Sequence, residues 1–160
     1  MITITRRYRF SASHRLHVAA LSDEENHRLF GKCNNPFGHG HNYVLSVTVE
    51  GEVDETSGLI IRTDDLDRLV ESKVLRLMAH RNLNVDVPQL ADLVPTTENV
   101  VIVIAQLLEA EWPHWFVGAN ARLWRVHLQE TDRNGFEVLL NDATKRPSLV
   151  RKQESVAVNV

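Results

Sequence analysis

The sequence predicts an α+β fold with element order ββααββ, and three observations carry that prediction. Two segments near the start alternate apolar and polar side chains with period 2. The middle carries two apolar stripes of helical spacing, each opened by threonine and acid. Two further alternating segments, joined by a tight Asp132-Arg133-Asn134-Gly135 turn, close the chain.

In the first strand Ile2, Ile4, Tyr8, Phe10, Ala12, His14 and Leu16 share one parity, and only Arg6 breaches it. Residues 21–38 are polar and rich in Gly, Asn and Pro, and read as a long loop of the kind that carries function. A second strand runs from His39 to Glu50, with His39, His41, Tyr43, Leu45, Val47 and Val49 on its apolar face. Thr63-Asp64-Asp65 opens a helix with a capping hydroxyl and acids at the positive end of its dipole. Leu66, Leu69, Val70, Lys73, Val74 and Leu77 make its stripe, which ends near His80. Thr96-Thr97-Glu98 caps a second helix of about 15 residues, β-branched at first and helix-forming from Ala105 onward. A third strand covers about 119–130, with Trp124, Val126, Leu128 and Glu130 on one face, and a fourth covers about 136–140. One domain over 1–140 and a polar C-terminal tail over 141–160 are expected.

The composition is that of a globular protein: 43% hydrophobic and 24% charged in 160 residues. A net charge of −3 and a pI near 6.2 give no reason to expect nucleic acid. The single cysteine excludes an internal disulfide and fits a reducing compartment. No run of about 18 apolar residues is present and the N-terminus lacks a signal-peptide core, so no membrane association and a cytoplasmic location are expected.

The histidines point to chemistry. His39 and His41 lie two apart and project together from an apolar face, and His14 lies on the apolar face of the neighbouring strand. If the two strands pair, three imidazoles converge. Buried and unpaired, each polar ring costs ~2–7 kcal/mol, whereas a metal takes up the neutral ring nitrogens as ligands. An all-nitrogen set suits Zn²⁺, Cu or Ni, and three protein ligands with a fourth position open is the catalytic zinc pattern. Cys33, in a polar loop beside Lys32, is a fourth ligand, a nucleophile or base, or incidental. Lys32 would favour its thiolate. His80 taken alone reads as a surface histidine. Glu130 is either an exposed strand end or a carboxylate awaiting a guanidine-like ligand edge.

The stretches FSASHRL (10–16), LSDEENHRLFGKCNNPFGHGHNY (21–43), AHRNLN (79–84), DVPQLADLVPTTEN (86–99) and QET (129–131) together resemble the 6-pyruvoyl-tetrahydropterin synthase family, over about residues 8–140. The resemblance implies a tunnelling fold: a four-stranded antiparallel sheet with two helices on one face. Trimers would close their sheets into a barrel, two trimers would stack into a hexamer, and the active site would lie between subunits. It implies conversion of 7,8-dihydroneopterin triphosphate to 6-pyruvoyl-tetrahydropterin. His14, His39 and His41 would hold zinc, Cys33 would be the base and His80 its relay partner. Glu130 would anchor the pterin edge, with Thr96, Thr97 and Glu98 beside it, and Mg²⁺ would accompany the triphosphate. The C-x5-HGH spacing favours this family over the related 6-carboxy-tetrahydropterin synthases of the queuosine pathway, which typically show C-x3-HGH. One departure stands out. Where the family reads Asp-His, this chain has Ala79-His80. A weakly active zinc- and pterin-binding protein is therefore an alternative, with Asp86 and Asp92 as nearby acids, and a zinc hydrolase without pterin affinity is another.

Overall fold

Strands β1 (Ile2–His14) and β2 (His39–Gly51) pair antiparallel along their whole length in the computed structural model, which describes residues 1–140 and 147–149. β3 (Ala121–Gln129) adds to β2, and β4 (Gly135–Leu139) to β3, giving the sheet order β1-β2-β3-β4. One sheet face turns to the helices. Phe10, Ala12, Tyr43, Leu45, Val47 and Val49 are buried on it, as their parity predicts. Arg6 shares that parity because a carboxylate meets it: its Nε donates to Asp67 Oδ1 at 3.0 Å, and Tyr8 Oη donates to the same oxygen at 2.8 Å.

The third strand differs from its alternation. Thr48 pairs with Arg125, but Val49 pairs with Leu123, so Trp124 is the extra residue of a β-bulge. Leu123 takes the core position that simple alternation gives to Trp124.

The segment 21–38 is not a bare loop. It holds helix α1 (Asp23–Phe30) and a 3₁₀ turn, Gly31–Asn34. A capping box starts α1: Ser22 accepts from the Glu25 backbone N–H, and the Glu25 side chain accepts from the Ser22 N–H. That Ser-x-x-Glu signal stands in the sequence, masked by the polar composition around it.

Helix α2 (Thr63–Val70) starts without the expected cap, since Arg62 occupies the N-cap position and no side chain bonds there. It runs on through a π turn, Glu71–Leu75, into a short α3, Arg76–Met78. The wider turn shifts the apolar phase by one residue, so Met78 is buried and Leu77 only half-buried. Helix α4 (Thr97–Trp115) spans 19 residues, longer than the stripe predicts, because Pro113 falls in its last turn and leaves the rest intact. It packs on β3 and β4, with its β-branched first turns buried. The expected tail falls outside the described residues apart from 147–149, of which Leu149 rests against the core.

Candidate active site

The site forms where β1 ends, β2 begins and β3 has just ended. Strand register gathers its imidazoles: His14 stands opposite His39, and His41 opposite Ala12, whose small side chain leaves room for the ring. Ring centroids lie 4.6–5.0 Å apart. Gly38 makes the entry to β2 at φ 71°, and a Cβ there would come within 2.9 Å of the His14 carbonyl oxygen. Extending the β2–β3 register one step past Val44 opposite Gln129 puts Glu130 beside Tyr43. Glu130 Oε1 accepts from Thr97 Oγ1 at 2.7 Å and lies 3.8 Å from His14 Nε2 and 3.6 Å from His41 Nε2.

Cys33 enters from the 3₁₀ turn. Its carbonyl accepts from the Leu16 N–H at 2.7 Å, and Asn34 Nδ2 donates to the Leu16 carbonyl at 2.8 Å. These bonds clamp the turn to the chain leaving β1. The thiol then lies within 4.8 Å of ligating nitrogens of both His14 and His39. His14, His41 and Glu130 form a second such group.

The donor set fits a dication. His14 Nδ1 donates to the Pro95 carbonyl at 2.8 Å, which leaves its Nε2 a bare lone pair. That nitrogen faces His39 Nε2 at 3.3 Å, which in turn faces His41 Nε2 at 2.8 Å. Nitrogens bound to one tetrahedral zinc stand roughly 3.4 Å apart, so the first spacing already matches and the second needs a small opening. Burial holds His14 and His39 below the usual imidazole range, in the neutral form that ligates.

The thiol departs from expectation. Burial, then the charge of Glu130, raises Cys33 above the usual thiol range, and Lys32 does not offset them. A dication among the imidazoles would pull the other way.

The remaining expected residues divide. Thr97 is buried and turned to Glu130, whereas Thr96 spends its hydroxyl as the α4 cap, accepting from the Asn99 N–H at 3.3 Å. Glu98 is exposed in the first turn of α4. His80 is not gathered with Cys33. It is exposed, at φ 60°, with its N–H donating to the Ser11 carbonyl at 2.6 Å. It lines a depression with Ser11, Ser13, Gly40 and Asn42, of the parity opposite to the clustered histidines, and with Ala12 and His41, of the same parity. Asp86 shares that depression, its Oδ2 accepting from the Asn82 N–H at 2.8 Å. Two contributors escape sequence reasoning. The Pro95 carbonyl has no sequence signal, and Tyr43 is visible only as an apolar-face residue.

The sequence profile of 6-pyruvoyl tetrahydropterin synthase matches residues 3–140. The chain is 49% identical over 131 residues to the 6-pyruvoyl tetrahydrobiopterin synthase of Homo sapiens, covering 82% of this chain and 86% of that one. It is 32% identical over 100 residues to the dihydroneopterin monophosphate aldolase of Pyrococcus furiosus, covering 62% and 76% of the two chains. The solved 6-pyruvoyl tetrahydropterin synthase of Caenorhabditis elegans superposes with a TM-score of 0.77 at 41% identity, over 86% of this chain and 94% of that one. The profile match over nearly the whole described chain, the identity to these relatives and the shared fold place this chain in the 6-pyruvoyl tetrahydropterin synthase family.

Proposed function

We propose that the chain is a zinc-dependent 6-pyruvoyl-tetrahydropterin synthase, converting 7,8-dihydroneopterin triphosphate to 6-pyruvoyl-tetrahydropterin with loss of inorganic triphosphate. The observation that carries this is the convergence of three imidazoles on one point with a thiol and a carboxylate beside them. His14, His39 and His41 hold the metal, and the Pro95 carbonyl fixes the His14 tautomer. Zinc there supplies Lewis acidity toward the substrate's side-chain hydroxyls. Cys33 is the base that takes a proton from a side-chain carbon and returns it to the next. Glu130 receives the donor edge of the pterin through a charge-assisted pair of hydrogen bonds, oriented by Thr97. Thr96 and Glu98 are assigned as further pterin contacts by their place at the N-terminus of α4.

His80 meets Cys33 from a neighbouring copy. The separation of the two residues in one chain supports this, as does the place of β1 and β4 at the two edges of the described sheet, where trimers would close a barrel and pair into a hexamer. Mg²⁺ would travel with the triphosphate. Residues 1–140 act as one domain, with 141–160 appended to it. No helix among the described residues is long and apolar enough to cross a membrane, and the lone thiol favours the cytoplasm.

One observation favours a slower variant of the same enzyme. Position 79 offers no carboxylate to orient His80, and the acid in its depression, Asp86, already accepts from Asn82. Incubation with 7,8-dihydroneopterin triphosphate, following triphosphate release and product mass together, tests the proposal. Triphosphate with a pyruvoyl-pterin mass supports it. A carboxy-pterin mass assigns the chain to the queuosine-type reaction, and binding without release makes it a pterin-binding protein.

A further inference from the structure

The least explained atom beside the site is the hydroxyl of Tyr43. The residue is 0% exposed, stacked on Phe10 at 5.2 Å and tilted against His41 at 5.6 Å. Its Oη is buried and has no hydrogen-bond partner among the described residues. A buried hydroxyl without a partner is destabilising, and phenylalanine would fill the same space without that cost. Orphaned buried groups call for a specific account.

The surroundings supply one. Register sets Tyr43 beside Glu130. Burial raises its ionisation well above the usual tyrosine range, the Glu130 charge adds to this, and the approach of the Thr97 hydroxyl opposes it; the two hydroxyls are neighbours, although no well-formed hydrogen bond joins them, and all three groups share one pocket. Thr97 already donates its only O–H to Glu130 Oε1 at 2.7 Å. Its oxygen lone pairs remain open, and they are the acceptor Tyr43 lacks.

We propose that Tyr43 is a positioning residue whose hydroxyl closes a donor chain, Tyr43 to Thr97 to Glu130, when a pterin engages the Glu130 carboxylate. The inference rests on the pterin reading above. In the free protein the carboxylate leans toward the imidazoles of His14 and His41, and Thr97 follows it. Drawn back onto a pterin edge, Glu130 lets Thr97 turn its oxygen to Tyr43. Each bond in such a chain polarises the next, so the carboxylate is held more firmly in the bound state than in the free one. The hydroxyl is thus held in reserve for the complex.

This predicts a split that an ordinary structural tyrosine would not show. In the zinc-loaded protein, Tyr43→Phe should leave zinc content and the thermal midpoint unchanged or slightly raise the latter. It should weaken binding of biopterin, a pterin without a triphosphate, by about tenfold, and raise KM more than it lowers kcat. Thr97→Val should weaken biopterin comparably or more, and Tyr43→Phe should have no further effect in that background. Equal affinity of wild type and Tyr43→Phe overturns the proposal. A clear drop in the thermal midpoint of the free protein also overturns it, because the hydroxyl would then be bonded without ligand. Additive effects of the two substitutions overturn the chain through Thr97. Wild type that binds no biopterin at all removes the pterin reading itself and this proposal with it.

Discussion

The imidazole cluster and the two residues Cys33 and His80 are built in different ways. His14, His39 and His41 belong to two paired strands, and their convergence follows from one register and one parity. Cys33 sits on a 3₁₀ turn and joins the ligating group of His14 and His39, whereas His80 sits just past a helix end and lines a separate depression. The ladder holds the first group rigidly in a single copy. On the proposed reading, the second group meets only where copies assemble. A chelate that must be preorganised is placed on strands, whereas groups that must meet a mobile proton are placed on turns at an edge.

The strongest test breaks the first group. His39→Ala/His41→Ala should reduce zinc from about one per chain to none, measured by elemental analysis, and abolish turnover. Retained stoichiometric zinc would show that the strands are not the metal's scaffold.

The second test addresses the pair. Cys33→Ala and His80→Ala should each lower turnover by about 10²–10⁴ while zinc is retained. Loss of zinc from Cys33→Ala would instead make the thiol a ligand. If Cys33 and His80 act across copies, mixed oligomers of the two variants should regain activity at about a quarter of their sites, since each site draws independently on two chains. Mixtures assembled after unfolding and refolding that stay inactive would put both groups in one copy.

A smaller gain is expected at position 79. A relay histidine is oriented by a neighbouring carboxylate, so Ala79→Asp should raise turnover by about tenfold at unchanged zinc content. No change would mean that another group already orients His80.

The smallest effect separates the site from ordinary sheet chemistry. Arg6 and Asp67 also meet across β1 and a helix, but both are partly exposed. Asp67→Asn should lower the thermal midpoint by no more than a few degrees and spare zinc. The hydrogen bond from Arg6 holds the folded-state Asp67 carboxyl below the usual range. The pair's contribution is therefore present above the unfolded value near pH 4 and is lost as pH falls through the lower folded one. Melting curves of wild type and Asp67→Asn should converge in that acid window and stay apart at neutral pH.

Sequence alone determined what repeats along the chain. Period 2 fixed the faces of β1 and β2 and set His14, His39 and His41 together. Period 3.6 located both long helices, and the length and spacing of the motifs identified the family. It was least informative wherever one residue shifts a phase. The bulge at Trp124 exchanged it for Leu123, and the π turn exchanged Leu77 for Met78. Neither leaves a local signal, because each is settled by packing against a distant element. Tertiary structure alone decided which polar groups meet. It turned Thr97 rather than Thr96 to Glu130, brought the Pro95 carbonyl to His14, separated His80 from Cys33 and left the Tyr43 hydroxyl without a hydrogen-bond partner among the described residues. Hydrogen bonds are short and directional, so contacts between residues tens of positions apart depend on the three-dimensional course of the chain, whereas apolar periodicity needs only the geometry of a single element.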